Sequence, residues 1–380
     1  MMATTTTTRG RLLLLLLLTH CTAITCRDQP YRGRPCDDDH GRCKPSFLII
    51  GVGKCGTSSL YYYLTDHPSV KAAAQKQIQW FDHQYSASRF NAYLDRSFPH
   101  HMEPGEMTGE ASPGYAQYSE VPVRVAKHLP ETRVLVIVRD PAERAYSAYH
   151  YNYLNVVRPN KKRTFEFLIE HETRLLAKCL ENNSENKIDL SRDCYGRTTA
   201  KDTYGVDDMP LANQHLWRQL VGRSLYILYL DWWPEFFMVC SELLAAPETA
   251  ADEMATVAAY LGLPTFDFRP VVDKGKYNAG AKHLGYGKVT PWDQAEKLAD
   301  LRPPMTAAAR HLIDTFAHPH TTRLFERANR SCPKWGSSRR LDDATTTLYS
   351  PEDPHALSSS SSSSATKNDD EGTLPRDLFS

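Results

Sequence analysis

Two short stretches of this chain gather groups that can hold an anion. The first is Gly51-Val52-Gly53-Lys54-Cys55-Gly56-Thr57-Ser58-Ser59-Leu60, which follows the apolar run Phe47-Leu48-Ile49-Ile50. Glycines permit tight turns, and successive N–H groups at a helix start form a cradle for phosphate or sulfate. Lys54 adds a full positive charge, and Thr57, Ser58 and Ser59 add hydroxyl donors. The second stretch is Arg139-Asp140-Pro141-Ala142-Glu143-Arg144-Ala145-Tyr146-Ser147, after the apolar run Val134-Leu135-Val136-Ile137-Val138. An arginine leaving a strand can grip a phosphate through two parallel N–H donors. A helix opened by Pro141 puts Ser147 on the same side, about two turns in. Arg144 reads as a structural ion-pair former.

A nucleotide kinase loop, G-x-x-x-x-G-K-[ST], places its lysine after the last glycine and uses the next hydroxyl to hold magnesium. Here Lys54 precedes Gly56 and no lysine follows it. The second apolar run ends in Arg139-Asp140-Pro141, without a carboxylate pattern suited to a metal. Together the two motifs resemble the phosphosulfate loop and the 3′-phosphate clamp of sulfotransferases that use 3′-phosphoadenosine-5′-phosphosulfate (PAPS). The resemblance runs from Ser46 to Trp335 and is nearest to the lumenal, Golgi-type carbohydrate sulfotransferases of the heparan sulfate and chondroitin kind. It implies PAPS as co-substrate, no metal, and a hydroxyl acceptor, most naturally on a carbohydrate. Donor contacts are implied for Lys54, Cys55, Gly56, Thr57, Ser58, Ser59, Arg139 and Ser147, with Lys54 also catalytic.

Gly109-Glu110-Ala111-Ser112-Pro113-Gly114-Tyr115 is similar to the family's G-E-K-S-P-x-Y segment, with Ala111 where some members carry lysine. Lys274-Gly275-Lys276-Tyr277 and Gly285-Tyr286-Gly287-Lys288 resemble the late loop that closes over the nucleotide. That likeness implies contacts from Lys274, Gly275, Tyr277 and Lys288. Heparan members brace this loop with two cysteines; this chain has Asn278 and His283 there, so the brace is absent.

The family's K-E-x-H-F-F-D segment supplies a glutamate general base. The matching stretch here is Lys76-Gln77-Ile78-Gln79-Trp80-Phe81-Asp82, and Gln77 falls on the glutamate's place. An amide accepts no proton at neutral pH. Three readings stay open. Another group serves as base, with Glu110, His83 and Asp82 as candidates. Alternatively, a loose transition state releases the acceptor's proton late and needs little help. Or the protein binds PAPS with weak or no turnover. General-base help is worth about 10²–10⁴-fold, so its loss slows transfer without abolishing it. A small alcohol or phenol, or a tyrosine side chain, is an alternative acceptor.

These motifs need rigid elements to aim them. The runs Phe47–Ile50 and Val134–Val138 have the continuous apolar character of buried parallel strands. A third strand is expected at Leu225–Leu230, after a helix near Asp208 to Leu220. Further helices are expected from Thr57 to Asp66, Glu248 to Leu261 and Thr306 to Asn329. Strands alternating with helices argue an α/β fold, a single domain with a central parallel sheet flanked by helices and a P-loop-like strand-loop-helix. The donor would lie across the carboxyl ends of the first and second strands. Trp232-Trp233-Pro234-Glu235-Phe236-Phe237 and Tyr61-Tyr62-Tyr63 read as core packing, and Arg158 with Lys161, Lys162 and Arg163 as a solvated loop.

The totals set the surroundings. Of 380 residues 41% are hydrophobic, and 45 Lys plus Arg balance 45 Asp plus Glu, so bulk charge points to no nucleic acid. Arg9 and Arg11 precede Leu12 to Leu18, an apolar core too short to span a bilayer, which takes about 20 residues. Residues 1–26 therefore read as a secretory signal or a short uncleaved anchor, and membrane association is expected only in the latter case. Residues 27–45, with Asp37-Asp38-Asp39, read as a polar stem, 46–335 as the catalytic domain, and the serine-rich 336–380 as a disordered tail. Nine cysteines suit the secretory lumen, with Cys36–Cys43 and Cys179–Cys194 as plausible bridges. Asn182 and Asn329 begin glycosylation sequons. The fifteen histidines show neither H-E-x-x-H nor zinc-finger spacing.

Overall fold

A computed structural model describes residues 36, 40–153, 164–183, 187–195, 220–279 and 286–335. The expected leader and tail, the Asp37–Asp39 run, the basic run 158–163, His283, Gly285 and nearly all of the helix expected near Asp208 lie outside the described residues.

Five strands form one parallel sheet: β1 (Phe47–Gly51), β2 (Val70–Ala72), β3 (Met107–Ala111), β4 (Arg133–Val138) and β5 (Phe237–Cys240). Their spatial order is β2-β3-β1-β4-β5. The chain leaves β1 toward β2 on one side and later returns to lay β4 on the other. The β1/β4 boundary is therefore the point where crossover direction reverses, the usual ligand crevice of such sheets. Every residue of β1 is buried, as suits a central strand covered on both faces. β1 and β4 pair from Phe47↔Arg133 to Ile49↔Leu135, then slip at Gly51↔Val136. The Val52 N–H still reaches Ile137 O at 2.8 Å, so the loop after β1 is stitched to β4 before it turns.

Helices α1 (Thr57–Thr65), α2 (Trp80–His83), α3 (Phe90–Ser97), α4 (Glu120–His128), α5 (Pro141–Ala148) and α6 (Phe165–Glu181) follow in order. The expected helices at Thr57, Pro141, Glu248 and Thr306 form within a residue or two of their expected bounds. The expected strand at Leu225–Leu230 does not. Tyr226–Leu230 is instead a short helix, α7, and the outer strand is β5, seven residues later. All five residues of α7 are buried, so no polar face marks a helical period. A short apolar run buried on all sides reads equally as strand or helix, and here tertiary packing chose.

The remaining elements are α8 (Ser241–Leu244), α9 (Pro247–Leu261), α10 (Arg269–Val272), the two-stranded ribbon β6 (Lys276–Tyr277) with β7 (Val289–Thr290), α11 (Trp292–Asp300) and α12 (Ala307–Ala328). Bridges join Cys36 to Cys43 and Cys179 to Cys194, as the spacing suggested. A third, Cys240–Cys332, ties the end of β5 to the chain beyond α12. Among the described residues no helix is long and apolar enough to cross a membrane.

Candidate active site

The loop between β1 and α1 turns through two left-handed residues, Lys54 (φ 75°) and Gly56 (φ 99°). Gly56 adopts this conformation freely, whereas a lysine there is held by its surroundings. No side chain caps the start of α1, which leaves the first-turn N–H groups directed outward as an anion cradle. Thr57, Ser58 and Ser59 are all buried at this end. The loop's own bonds engage two of the candidates, though the Ser59 hydroxyl keeps its own proton to donate. Cys55 N donates to Val52 O (3.2 Å), and Ser59 Oγ accepts from Tyr277 N (3.1 Å). Cys55 is a buried free thiol that burial pushes up to about 11, so it stays neutral.

The second motif arrives from the neighbouring strand. Asp140 caps α5 by accepting from Glu143 N (3.0 Å), and its other oxygen pairs with Arg310 of α12 (2.6 Å). Glu143 bridges Arg310 (3.2 Å) and Arg139 (3.2 Å), so the clamp arginine is held by a network, with 30% of its side chain exposed. Ser147 is buried on α5. Arg144 is fully buried, and its Nε donates to Ser224 Oγ at 2.7 Å. Buried Glu172 of α6 fixes that neighbourhood by accepting from Gly222 N (3.0 Å), Leu220 N (2.9 Å) and the Tyr195 hydroxyl (2.6 Å).

Cations converge here. Burial first, then Arg302, Arg139 and Arg144, lower the Lys54 ammonium to about 7. Arg302 and Lys276 are likewise lowered by burial and then by Arg139. Arg223, close to Gly53, is lowered to about 10 by burial and by Arg144. Like charges that depress one another this way are arranged for an anion that would relieve them. Lys54 Nζ lies 3.5 Å from the ring centroid of Tyr151, in the turn after α5.

Sequence reasoning missed Arg302, Lys276, Arg223 and Tyr151 as members of this cluster. Arg302, Arg223 and Tyr151 sit in no recognisable motif, and Lys276 lies in the late-loop stretch without having been singled out there. The signal in reach was the second lysine of Lys274-Gly275-Lys276. Lys274 instead pairs with Asp66 (2.9 Å) at the far end of α1 and is 53% exposed. That is nine residues, or about 13 Å, from the anion end of the helix, so the structure does not bring Lys274 to the loop. Gly275 is a spacer: its φ is +117° and a Cβ would meet Thr290 O at 2.1 Å. Its carbonyl accepts from Tyr63 (2.6 Å), and Tyr277 stacks on Tyr62 at 4.8 Å. Lys288 is exposed, its carbonyl accepting from Asn278 N (2.9 Å).

The candidate bases fall into different places. Glu110, in β3, is fully buried. One oxygen accepts from Tyr93 (2.7 Å) and Tyr115 (2.9 Å), the other from Ser112 (2.6 Å). Ser112 Oγ in turn accepts from Gln79 N (2.9 Å), and Tyr115 from Trp80 N (2.9 Å). Glu110 is thus the buried anchor of the 77–81 segment, with no open face for an acceptor. Burial pushes its carboxyl up against those hydrogen bonds. Asp82 is also buried and pushed up, with His83 Nε2 3.8 Å from its Oδ2. Gln77 is half-buried.

The sulfotransferase domain family matches residues 44–187, which span the loop, the clamp and α6. Over this stretch the chain is similar to that family. It is 30% identical over 154 residues to the membrane-associated sulfotransferase kil1 of Dictyostelium discoideum, covering 38% of this chain and 31% of that protein. It is 32% identical over 141 residues to the human bifunctional heparan sulfate N-deacetylase/N-sulfotransferase 3, covering 32% and 16%. Against the mouse heparan sulfate glucosamine 3-O-sulfotransferase 3A1 the figures are 35% over 112 residues, covering 30% and 28%. The chain therefore spans under a third of the length of these relatives. Among the described residues, no group of His, Cys, Asp and Glu could hold a metal.

Proposed function

We propose that the protein transfers a sulfuryl group from PAPS to an acceptor hydroxyl, with a carbohydrate as the acceptor class. The observation that carries this is the convergence of Lys54 and Arg139 at the carboxyl ends of adjacent parallel strands, where Arg139 lowers the protonation of both Lys54 and Arg302. The residues present fit a donor with anionic groups at two places: an uncapped helix start with Lys54 on one side, and Arg139 with Ser147 on the other. The names of the relatives support the carbohydrate acceptor. The leader and the three disulfides among the described residues support a secretory-pathway location, the Golgi lumen being the compartment that suits this chemistry.

Bound PAPS supplies the reacting group: its sulfur–oxygen bond to phosphate breaks, the acceptor oxygen bonds to sulfur, and the acceptor's proton departs. Lys54 then neutralises charge growing on the bridging oxygen, aided by the N–H groups after Gly56 and the hydroxyls of Thr57 and Ser58. Arg139 and Ser147 hold the 3′-phosphate, and Lys276 and Arg302 add positive potential around it. Tyr277 and Gly275 place the late ribbon against α1. Since Glu110 is enclosed and Gln77 is an amide, the transfer runs with late proton loss to solvent or to His83, whose ring is half exposed beside Asp82.

Incubation with ³⁵S-labelled PAPS and a panel of glycans, phenols and tyrosine peptides tests this reading. Label in glycans is expected. Label in peptides alone would reject the carbohydrate acceptor, and PAPS binding without transfer to any acceptor would reduce the protein to a donor-binding module.

A further inference from the structure

One buried cation near the loop remains unassigned. Lys76 lies between β2 and α2, only 5% exposed. Its main chain is pinned to β3, because Ala111 N donates to Lys76 O at 3.1 Å. Its Nζ is 3.5 Å from Thr57 Oγ1, the first residue of α1. Among the described residues no carboxylate lies within ion-pair distance of it. Nearby Glu110 already has hydrogen bonds from three hydroxyls. The ring of exposed Tyr286 also lies near the ammonium, 5.0 Å away.

A lysine buried without an anion is expensive, and such groups lose their proton or await a partner. Lys76 follows this rule: burial lowers it to about 7, with Glu110 pulling the other way. Thr57 is where the cradle begins, so an anion seated there would be the missing partner. Lys54 reaches the loop with Arg139 and Arg302, on the clamp side. Lys76 approaches through Thr57 from the β3 side, beside Ala111.

We propose that Lys76 is a second cation of the sulfuryl subsite, contacting the terminal sulfuryl oxygens at Thr57 while Lys54 serves the bridging oxygen. This rests on the PAPS reading above. It makes Lys76 a residue that tells the sulfated donor from the desulfated product. The product, adenosine 3′,5′-bisphosphate (PAP), keeps both phosphates and lacks only the sulfuryl group. The exposed ring of Tyr286 lies on the solvent side of the lysine.

The experiment is direct calorimetric binding of PAPS and of PAP to the full chain, without acceptor, for wild type, Lys76→Met, Lys76→Gln and Lys76→Arg. Removing the charge should weaken PAPS binding about tenfold while PAP changes by less than about twofold. Lys76→Arg, which keeps the charge, should recover part of the loss. The ratio of the two affinities is the readout for whichever neutral variant folds, so a general loss of stability does not mimic the effect. Equal weakening of both ligands, or none, would overturn the assignment. A wild type that binds neither PAPS nor PAP would overturn the donor reading itself, an outcome distinct from the first two.

Discussion

The Tyr226 hydroxyl donates to the Arg139 carbonyl at 2.6 Å and lies 3.8 Å from Cys55 Sγ. One buried side chain thereby connects the clamp after β4 to the loop after β1. It comes from α7, the helix that stands where a strand was expected. The two anion motifs are held at a set spacing by this tyrosine as well as by the sheet.

Tyr226→Phe should therefore loosen the site without touching a ligand. It leaves the Arg139 carbonyl short of a buried donor, a loss of about 1–3 kcal/mol. Urea denaturation should show that decrease, and PAP binding should weaken with it. An unchanged midpoint and unchanged PAP affinity would mean the sheet alone sets the spacing.

Lys54 and Arg139 should fail differently. Lys54→Ala should lower turnover by about 10²–10³-fold with a smaller effect on PAP affinity, since its charge matters most as the S–O bond breaks. Arg139→Ala should weaken PAP binding by about tenfold or more and lower turnover less at saturating donor. Equal, small effects from the two changes would count against both roles.

Glu110→Gln separates a scaffold from a base. As the anchor of Tyr93, Ser112 and Tyr115, its loss should destabilise the fold by about 1–3 kcal/mol and lower the melting temperature. Activity of the folded variant should keep its pH profile. A stable variant that binds PAPS, has lost transfer and has lost one limb of its pH profile would return Glu110 to the base's role.

Gln77→Glu should raise turnover on simple sugar alcohols, by at most the 10²–10⁴-fold that a general base typically supplies. Initial rates with saturating PAPS measure it. A rate that ignores this change and Glu110→Gln alike would place the acceptor away from the 76–82 segment.

Donor affinity should depend on pH through Lys54 and Lys76. Both are lowered from 10.5 to about 7 in the free protein. Below pH 7 they are charged and ready for an anion. Above it, binding must recruit a proton for each, so affinity falls by up to about tenfold per pH unit per lysine. PAPS titrations between pH 6 and 9 should show weakening as pH rises, with proton uptake detectable in buffers of different ionisation heat. Stability of the free protein should move the opposite way, rising with pH from about 7 toward 10.5, because there the unfolded chain binds more protons.

The sequence alone determined the features written in contiguous residues. The loop Gly51–Leu60 and the clamp Arg139–Ser147 were legible because glycine, lysine, hydroxyl and arginine stand at spacings that a strand-loop-helix reproduces locally. The parallel sheet was legible from runs such as Val134–Val138, apolar without alternation. The close-range bridges Cys36–Cys43 and Cys179–Cys194 followed from short separations. What the tertiary structure decided involves partners far apart in the chain. Arg302, just after α11, comes close enough to Arg139 to feel its charge, and Cys332 finds Cys240 across a separation of 92 residues. The helix Tyr226–Leu230 was illegible because burial on every side left no period to announce it. Glu110 looked like a base because a carboxylate in a motif is a sound candidate until its burial is known. Whether such a group meets an acceptor or three hydroxyls depends on which chains close over β3, and no local spacing encodes that. Lys76 is the converse case: its place at the head of the 76–82 segment was legible, but its burial beside Thr57 without a counter-ion is a product of the fold.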